Sequence, residues 1–361
     1  MKIITTIIYK VKLLLIIGLC FSLLSCNGQN KTSNYKEDSN LIIPQTNKQK
    51  VHRTSVFANF EDQIDNVIRT VFQDSNGNFW FGGEGAVYKF DGDVLSSIDG
   101  IMSEDGKGIT IKDIAEDKDG KIWFGHTDGI SVYDGTSITN YYESDGLLSN
   151  DVWCITIDRN NQVWIGTIDG VCKFDGMNFT PFEIPKGKID PSRGVSSKEI
   201  VHHIMEDSNG RILFSTNGGV YIKDGNLLTN LSEKDGLKSG FVNKVLQDKD
   251  GSFWICTSDG LYHYVDDVLT NITKDIILSG KGIGTVLQDF EGNIWFNSNL
   301  RDIYFYDGAS FTKYRINEDE YGPAPFHIYE DKQRRLWFVG YGGAYRYEKN
   351  QFINVTRNGP W

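Results

Sequence analysis

The sequence has little of what most functional classes require. Histidine occurs six times and cysteine five times in 361 residues, helix-type apolar periodicity is scarce, and no basic cluster interrupts an acidic chain of net charge −11. An acidic surface without lysine- or arginine-rich stretches argues against nucleic acid as a partner. Neither a Gly-x-Ser-x-Gly elbow nor a His-Glu-x-x-His motif is present, so no catalytic residues are assigned. No cofactor is expected. Of the cysteines, Cys154, Cys172 and Cys256 lie in the body of the chain with no close spacing. In the strand reading below, Cys154 and Cys172 fall on non-adjacent strands, too far apart for a disulfide, and all three read as small core hydrophobes.

Apolar runs are equally rare. The exception is Leu13 to Leu24, preceded by Lys2, Lys10 and Lys12 and followed by Ser25-Cys26. A charged segment and a short apolar segment form a secretory leader, too short for a stable span. Leu23-Leu24-Ser25-Cys26 resembles a bacterial lipobox, which implies cleavage before Cys26, lipidation of its thiol and attachment to a membrane through that anchor. Residues 1–25 are therefore read as a lipoprotein signal peptide. Residues 26–50, rich in Asn, Lys, Gln, Ser and Thr, read as a flexible tether. Asn27 offers no Asp-type retention signal, so the expected location is the cell envelope, at the outer membrane.

What is abundant is a repeat. Asp-x-x-Gly-x-apolar-Trp occurs at Asp74–Trp80, Asp117–Trp123, Asp248–Trp254 and Asp289–Trp295. Degenerate copies start at Asp158, Asp207 (where Leu213 replaces Trp) and Asp331. The seven anchors are 43, 41, 49, 41, 41 and 42 residues apart. That period in a chain rich in Gly and aromatics predicts an all-β, seven-bladed β-propeller of four-stranded antiparallel blades over residues 51–361. In the second copy, Ile111 to Glu116 is the expected inner strand, Ile122 to His126 the second, Ile130 to Tyr133 the third and Ile138 to Tyr142 the outer. Asp119-Gly120 suits a two-residue hairpin turn with left-handed dihedrals. The recurring Trp is read as a wedge filling the gap between blades. A calcium loop built on Asp117 and Asp119 fails, because with Gly120 at its sixth position the first ligand falls on Ala115. One strand is left over: Ser55–Phe60 and Gln351–Val355 both read as an outer strand closing the ring.

The pattern Gly-x-Ile-Trp-Phe-Gly with Asp-Gly turns is similar to the two-component regulator propeller repeat. That resemblance covers all seven copies and implies a sensor-type scaffold of the kind found outside the cytoplasm in hybrid histidine kinases. Since the chain as read holds one propeller and ends at Trp361, the expectation is a stand-alone sensor-like form without kinase domains. A weaker similarity, to propeller lyases that open cyclic antibiotics, implies a His and acidic residues acting with a metal, but no matching His-Glu-His set is found. His202, His203 and His327 invite a reading as a metal site. Adjacent strand residues face opposite ways, so none is assigned.

Aligned on the anchor, the positions six and three before it are nearly all Ile or Val. The position five before it reads Arg69, Lys112, Trp153, His202, Asn243, Gly284 and Phe326; the next reads Thr70, Asp113, Cys154, His203, Lys244, Thr285 and His327. Variable polar and aromatic side chains at one repeat position are what a ring around an asymmetric ligand requires. Arg69, Lys112, Trp153, His202, Asn243 and Phe326 are the candidate ligand-binding residues. Arg301, on an altered turn in the sixth repeat, joins them, and an insertion around Glu183 to Glu199 is a further candidate for contacts. The function expected is non-catalytic binding of a small molecule, an oligosaccharide being the example considered, or of an envelope protein. The alternatives are a lyase- or hydrolase-type enzyme at the channel mouth and a scaffold subunit of an envelope complex.

Overall fold

The computed structural model describes residues 62–106, 108–189, 197–277, 281–299, 301–314 and 324–361. The leader, Cys26, the tether and Ser55–Phe60 lie outside the described residues. The rest is a seven-bladed propeller: seven four-stranded sheets, each ordered inner to outer as the chain runs. The blades span residues 68–98, 111–141, 152–182, 201–231, 242–271, 283–314 and 324–355. In the second blade, Ile111–Glu116, Ile122–His126, Gly129–Tyr133 and Ile138–Tyr141 pair antiparallel in sequence.

The repeat motif is a hydrogen-bonded clasp at the turn between inner and second strands. One carboxylate oxygen of Asp117 accepts the backbone N–H groups of Asp119 and Lys121, both at 3.0 Å, and the other accepts the indole N–H of Trp123 at 3.0 Å. The same Asp to indole bond measures 2.8 Å for Asp74–Trp80, 3.0 Å for Asp158–Trp164, 3.1 Å for Asp248–Trp254, 2.9 Å for Asp289–Trp295 and 2.8 Å for Asp331–Trp337. The fourth blade has Leu213 in place of Trp, and there the Arg211 Nε donates to Asp207 Oδ2 at 2.6 Å.

The turn corrects the two-residue expectation. Gly120 N–H donates to Asp117 O at 2.9 Å, and of the turn residues Gly120 takes a left-handed φ, +79°, while Asp119 does not. The carboxylate draws in the N–H groups of residues two and four along, which curls the chain into a three-residue loop with one left-handed position. Asn161 (φ 64°) and Arg334 (φ 66°) hold that position in the third and seventh blades.

Each indole is buried against the next blade. Trp80 packs on Ile111, Ile114, Ile122 and Phe124; Trp123 packs on Val152, Ile155 and Phe174. The glycine two residues after the Trp has a packing reason. A Cβ on Gly82 would lie 2.6 Å from Ile111 Cγ2, and one on Gly125 would lie 2.8 Å from Val152 Cγ1, so the next inner strand leaves no room for a side chain. Cys154 and Cys172 sit on strands separated by Val163–Thr167, and Cys154, Cys172 and Cys256 are buried free thiols.

Gln351–Val355 is the outer strand of the seventh blade. Each blade keeps its own four strands, and the ring is joined by isolated backbone bridges, Gln63 with Thr356 and Val67 with Tyr341, and by side chains. Gln63 and Asn354 exchange amide hydrogen bonds of 2.9 and 3.1 Å, and Arg357 donates to the carbonyls of Gln63 and Ile64, both at 2.9 Å. Trp361 then stacks on Phe90 of the first blade, with centroids 4.0 Å apart.

Trp123→Ala and Trp254→Ala are each expected to lower unfolding free energy by about 3–5 kcal/mol, the cost of emptying a buried aromatic site. Urea unfolding of both variants checks this, and near-normal stability in both contradicts the inter-blade placement.

Candidate functional site

The inner strands carry a feature that the spacing of their core residues demands. Side chains on a strand alternate between faces, yet positions three apart, Ile111 and Ile114 for example, are both buried. A β-bulge reconciles the two by inserting one residue. All seven inner strands have a register shift there: Ile68/Thr70, Ile111/Asp113, Val152/Cys154, Val201/His203, Val242/Lys244, Ile283/Val286 and Pro325/His327. The residue passed over is Arg69, Lys112, Trp153, His202, Asn243 or Phe326, the candidate column, and in the sixth blade Gly284 of that column together with Thr285. Each lies near the start of its strand, at the end of the channel that also carries the turns between second and third strands.

Neighbouring blades bring these side chains into contact. The Arg69 guanidinium lies 4.3 Å from the Phe326 ring centroid, and the Lys112 ammonium 4.0 Å from that of Trp153. The Trp153 and His202 rings meet edge-on at 5.7 Å, and Asn243 Nδ2 donates to Ile283 O at 2.6 Å. Gly284 leaves a gap in the sixth blade. There Asn297 Oδ1 accepts the N–H of Gly284 at 3.2 Å and of Thr285 at 2.9 Å, while its Nδ2 donates to Pro325 O at 2.8 Å. Arg301 is exposed on the turn between Ile294–Ser298 and Asp302–Tyr306 and has no ion pair among the described residues.

Surrounding loops supply partners that the column alignment did not single out. Glu84 pairs with Arg69 at 3.3 Å, Asp151 pairs with Lys112 and accepts the Trp153 indole N–H at 3.3 Å, Tyr341 lies 4.9 Å from Phe326, and Asn217 Oδ1 accepts from His202 Nε2 at 2.8 Å. Asn217 was findable in principle, since Asn217-Gly218 breaks the Asp-Gly pattern of that turn. The insertion flanks it: Asn217 Nδ2 donates to Ser197 O at 3.1 Å, and the Lys188 N–H donates to Asn217 O at 3.3 Å.

The residues after the bulge form a second, more buried tier. Burial pushes the Asp113 carboxyl up to about 6, although the N–H groups of Ile155 and Ile114, both at 2.9 Å, partly offset it. Burial lowers the Lys244 ammonium from its usual value, with the Asp113 charge acting in the opposite sense. His202 is held down to about 4 and His327 to about 3, chiefly by burial, and His203 lies well below its ordinary range for the same reason. His327 Nδ1 accepts the Val71 N–H at 3.4 Å, and His203 Nδ1 and Thr285 Oγ1 are buried without a hydrogen-bond partner among the described residues. The imidazoles near the channel are thus neutral at physiological pH. Among the described residues, no three His, Cys, Asp or Glu side chains converge as a metal site.

Fold and site together define a β-propeller whose channel mouth is lined by variable polar and aromatic side chains set on bulges. The chain carries two-component regulator propeller repeats: the model of that family matches residues 62–85, 105–128, 146–169 and 236–259. These are the first, second, third and fifth blades. No curated protein matches the chain. Among solved structures, the extracellular domain of a hybrid two-component system from B. thetaiotaomicron is 20% identical over 81% of this chain, with a TM-score of 0.63. This chain spans about 40% of that domain's length. Virginiamycin B lyase from Staphylococcus aureus is 13% identical, covering 78% of this chain and 95% of its own, with a TM-score of 0.62. PorZ, a surface component of the type-IX secretion system of Porphyromonas gingivalis, is 13% identical over 81% of this chain and 47% of its own, with a TM-score of 0.60. At these identities the likeness establishes the fold.

Neutral buried histidines tie stability to pH. An unfolded histidine takes up a proton near 6.5, whereas His126, His202 and His327 do so at about 4, 4 and 3 in the fold. Their contribution is therefore complete above about 6.5 and is lost as pH falls towards the folded values. Urea unfolding from pH 7.5 to 4.5 is expected to show stability declining below about 6.5, and His327→Gln to reduce the slope by up to about 1.4 kcal/mol per pH unit. An unchanged slope contradicts the burial argument.

Proposed function

We propose that this protein is a lipid-anchored propeller of the cell envelope that captures a ligand or protein partner at the channel mouth, in the manner of a sensor and without catalysing a reaction. The observation that carries this reading is the bulged column. Every blade spends an extra residue at one repeat position, and that position holds the most varied side chains of the repeat. The cations there are already matched, Arg69 by Glu84 and Lys112 by Asp151. A mouth with paired charges, aromatic surfaces at Trp153 and Phe326, and donors and acceptors at His202 and Asn243 suits an uncharged, hydroxyl- or amide-rich ligand such as an oligosaccharide or an extended peptide. The extracellular two-component domain that shares the fold supports a sensor role outside the cytoplasm.

The enzyme reading has less support. A general acid or base working near neutrality needs a pKa close to 7, and burial holds His202 at about 4 with its Nε2 engaged by Asn217. The scaffold reading is separated by experiment. The domain from residue 51 onwards is screened by thermal shift against glycans and peptides, and binders are measured by calorimetry. Trp153→Ala and Arg69→Ala are expected to weaken binding about tenfold or more while the melting temperature of the unliganded protein stays close to wild type. Binding that survives both changes and is lost on charge reversal at the outer strands contradicts the site. For the anchor, Cys26→Ser is expected to abolish lipid labelling and release the chain from membranes; a labelled, membrane-bound variant contradicts it.

A further inference from the structure

The fourth blade holds a second, unrelated opening. In six blades an indole fills the space against the next blade; in the fourth, Leu213 stands in that place. The residues around Trp80 and those around Leu213 correspond one to one. Ile114, Ile122, Phe124 and Tyr133 contact or flank Trp80, and Val245, Phe253, Ile255 and Tyr264 occupy the same repeat positions beside Leu213. A cleft of about 390 Å³ lies between the fourth and fifth blades, lined by Leu213 and by those four residues among others. Its mouth is formed by the turn Asp250-Gly251-Ser252 and the hairpin Val265-Asp266-Asp267, on the face opposite the ring of bulged residues. Val265 there is 41% exposed.

We infer that this cleft binds a small planar aromatic molecule of indole size, neutral or cationic. The shape argument is internal to the molecule, because walls of this kind accept an indole six times over in the same chain. The size argument is that cavities of about 150 Å³ with Leu, Ile and Phe walls stay dry and take up benzene. Charge selects among such ligands. Asp250, Asp266 and Asp267 line the mouth, and Arg211, the one cation among the described lining residues, is engaged by Asp207. That engagement uses the carboxylate oxygen that the indole N–H reaches in the other blades, an oxygen that Arg335 and Trp337 share in the seventh blade.

The test uses indole, tryptamine and indole-3-propionate with the full chain carrying labelled methyl groups. Indole and tryptamine are expected to shift the methyl signals of Leu213, Val245 and Ile255 saturably, with indole-3-propionate at least fivefold weaker. Leu213→Trp is expected to raise the thermal midpoint and abolish those shifts. Val265→Lys, an exposed change that leaves the core intact, is expected to weaken tryptamine more than indole. Absence of saturable shifts in the wild-type protein overturns the proposal, as do shifts that persist in a folded Leu213→Trp variant or tighter binding of the propionate than of tryptamine.

Discussion

The structure depends on one carboxylate per blade. An aspartate at the end of the inner strand holds the N–H of the residue four along with one oxygen, in five blades that of the residue two along as well, and in six blades an indole N–H with the other oxygen. Hydrogen bonds to a charged acceptor contribute about 1.5–3 kcal/mol, more than neutral ones. The geometry also explains the spacing of the motif. Counting from the aspartate, the fourth residue must accept a left-handed φ for the carboxylate to cap the turn, and the Trp must follow as the seventh for its N–H to reach back. Where the Trp is missing, an arginine takes the vacant oxygen; in the seventh blade Arg335 and Trp337 share it, at 2.6 and 2.8 Å. Without the carboxylate, the buried indole N–H would be left unpaired and the wedge would lose its aim.

A clasp that fixes the outer side of each inner strand leaves the channel side free to vary. The indole and the Ile and Val columns are committed to inter-blade packing, and the glycine after the Trp is fixed by the neighbouring strand. The bulge supplies the one residue per blade that answers to none of these demands. That is why charge, aromaticity and hydrogen-bonding capacity gather there, and why the tier beneath, which includes Asp113, Lys244 and His327, is polar although it is buried.

Much of this was legible in the sequence. The period fixed the blade count, the alternation placed the strands of the second repeat to within a residue, and the Trp positions read correctly as inter-blade core. The turn was misread because Asp-Gly alone does not distinguish a two-residue loop from a three-residue one; the capping carboxylate decides it. The bulge was implied by buried residues three apart on a strand, a spacing that can be recognised once strand pairing is known. Asn217, Asp151 and Glu84 come to the ring from loops of other repeat positions, so column alignment missed them. Leu213 was visible as a departure from the pattern, but the space it leaves depends on whether the fifth blade closes over it. Arg357 and Trp361 were invisible as closing elements because they lie beyond the last repeat and act on the first.

The central claim is that the aspartate and the indole act as a unit. A double-mutant cycle on Asp289 and Trp295, using Asp289→Ala, Trp295→Phe and the pair, measures this by urea unfolding. A coupling free energy of about 1–3 kcal/mol is expected, because either single change already removes the bond. Effects that add to within about 0.5 kcal/mol would show the indole to be a wedge whose placement owes nothing to the carboxylate.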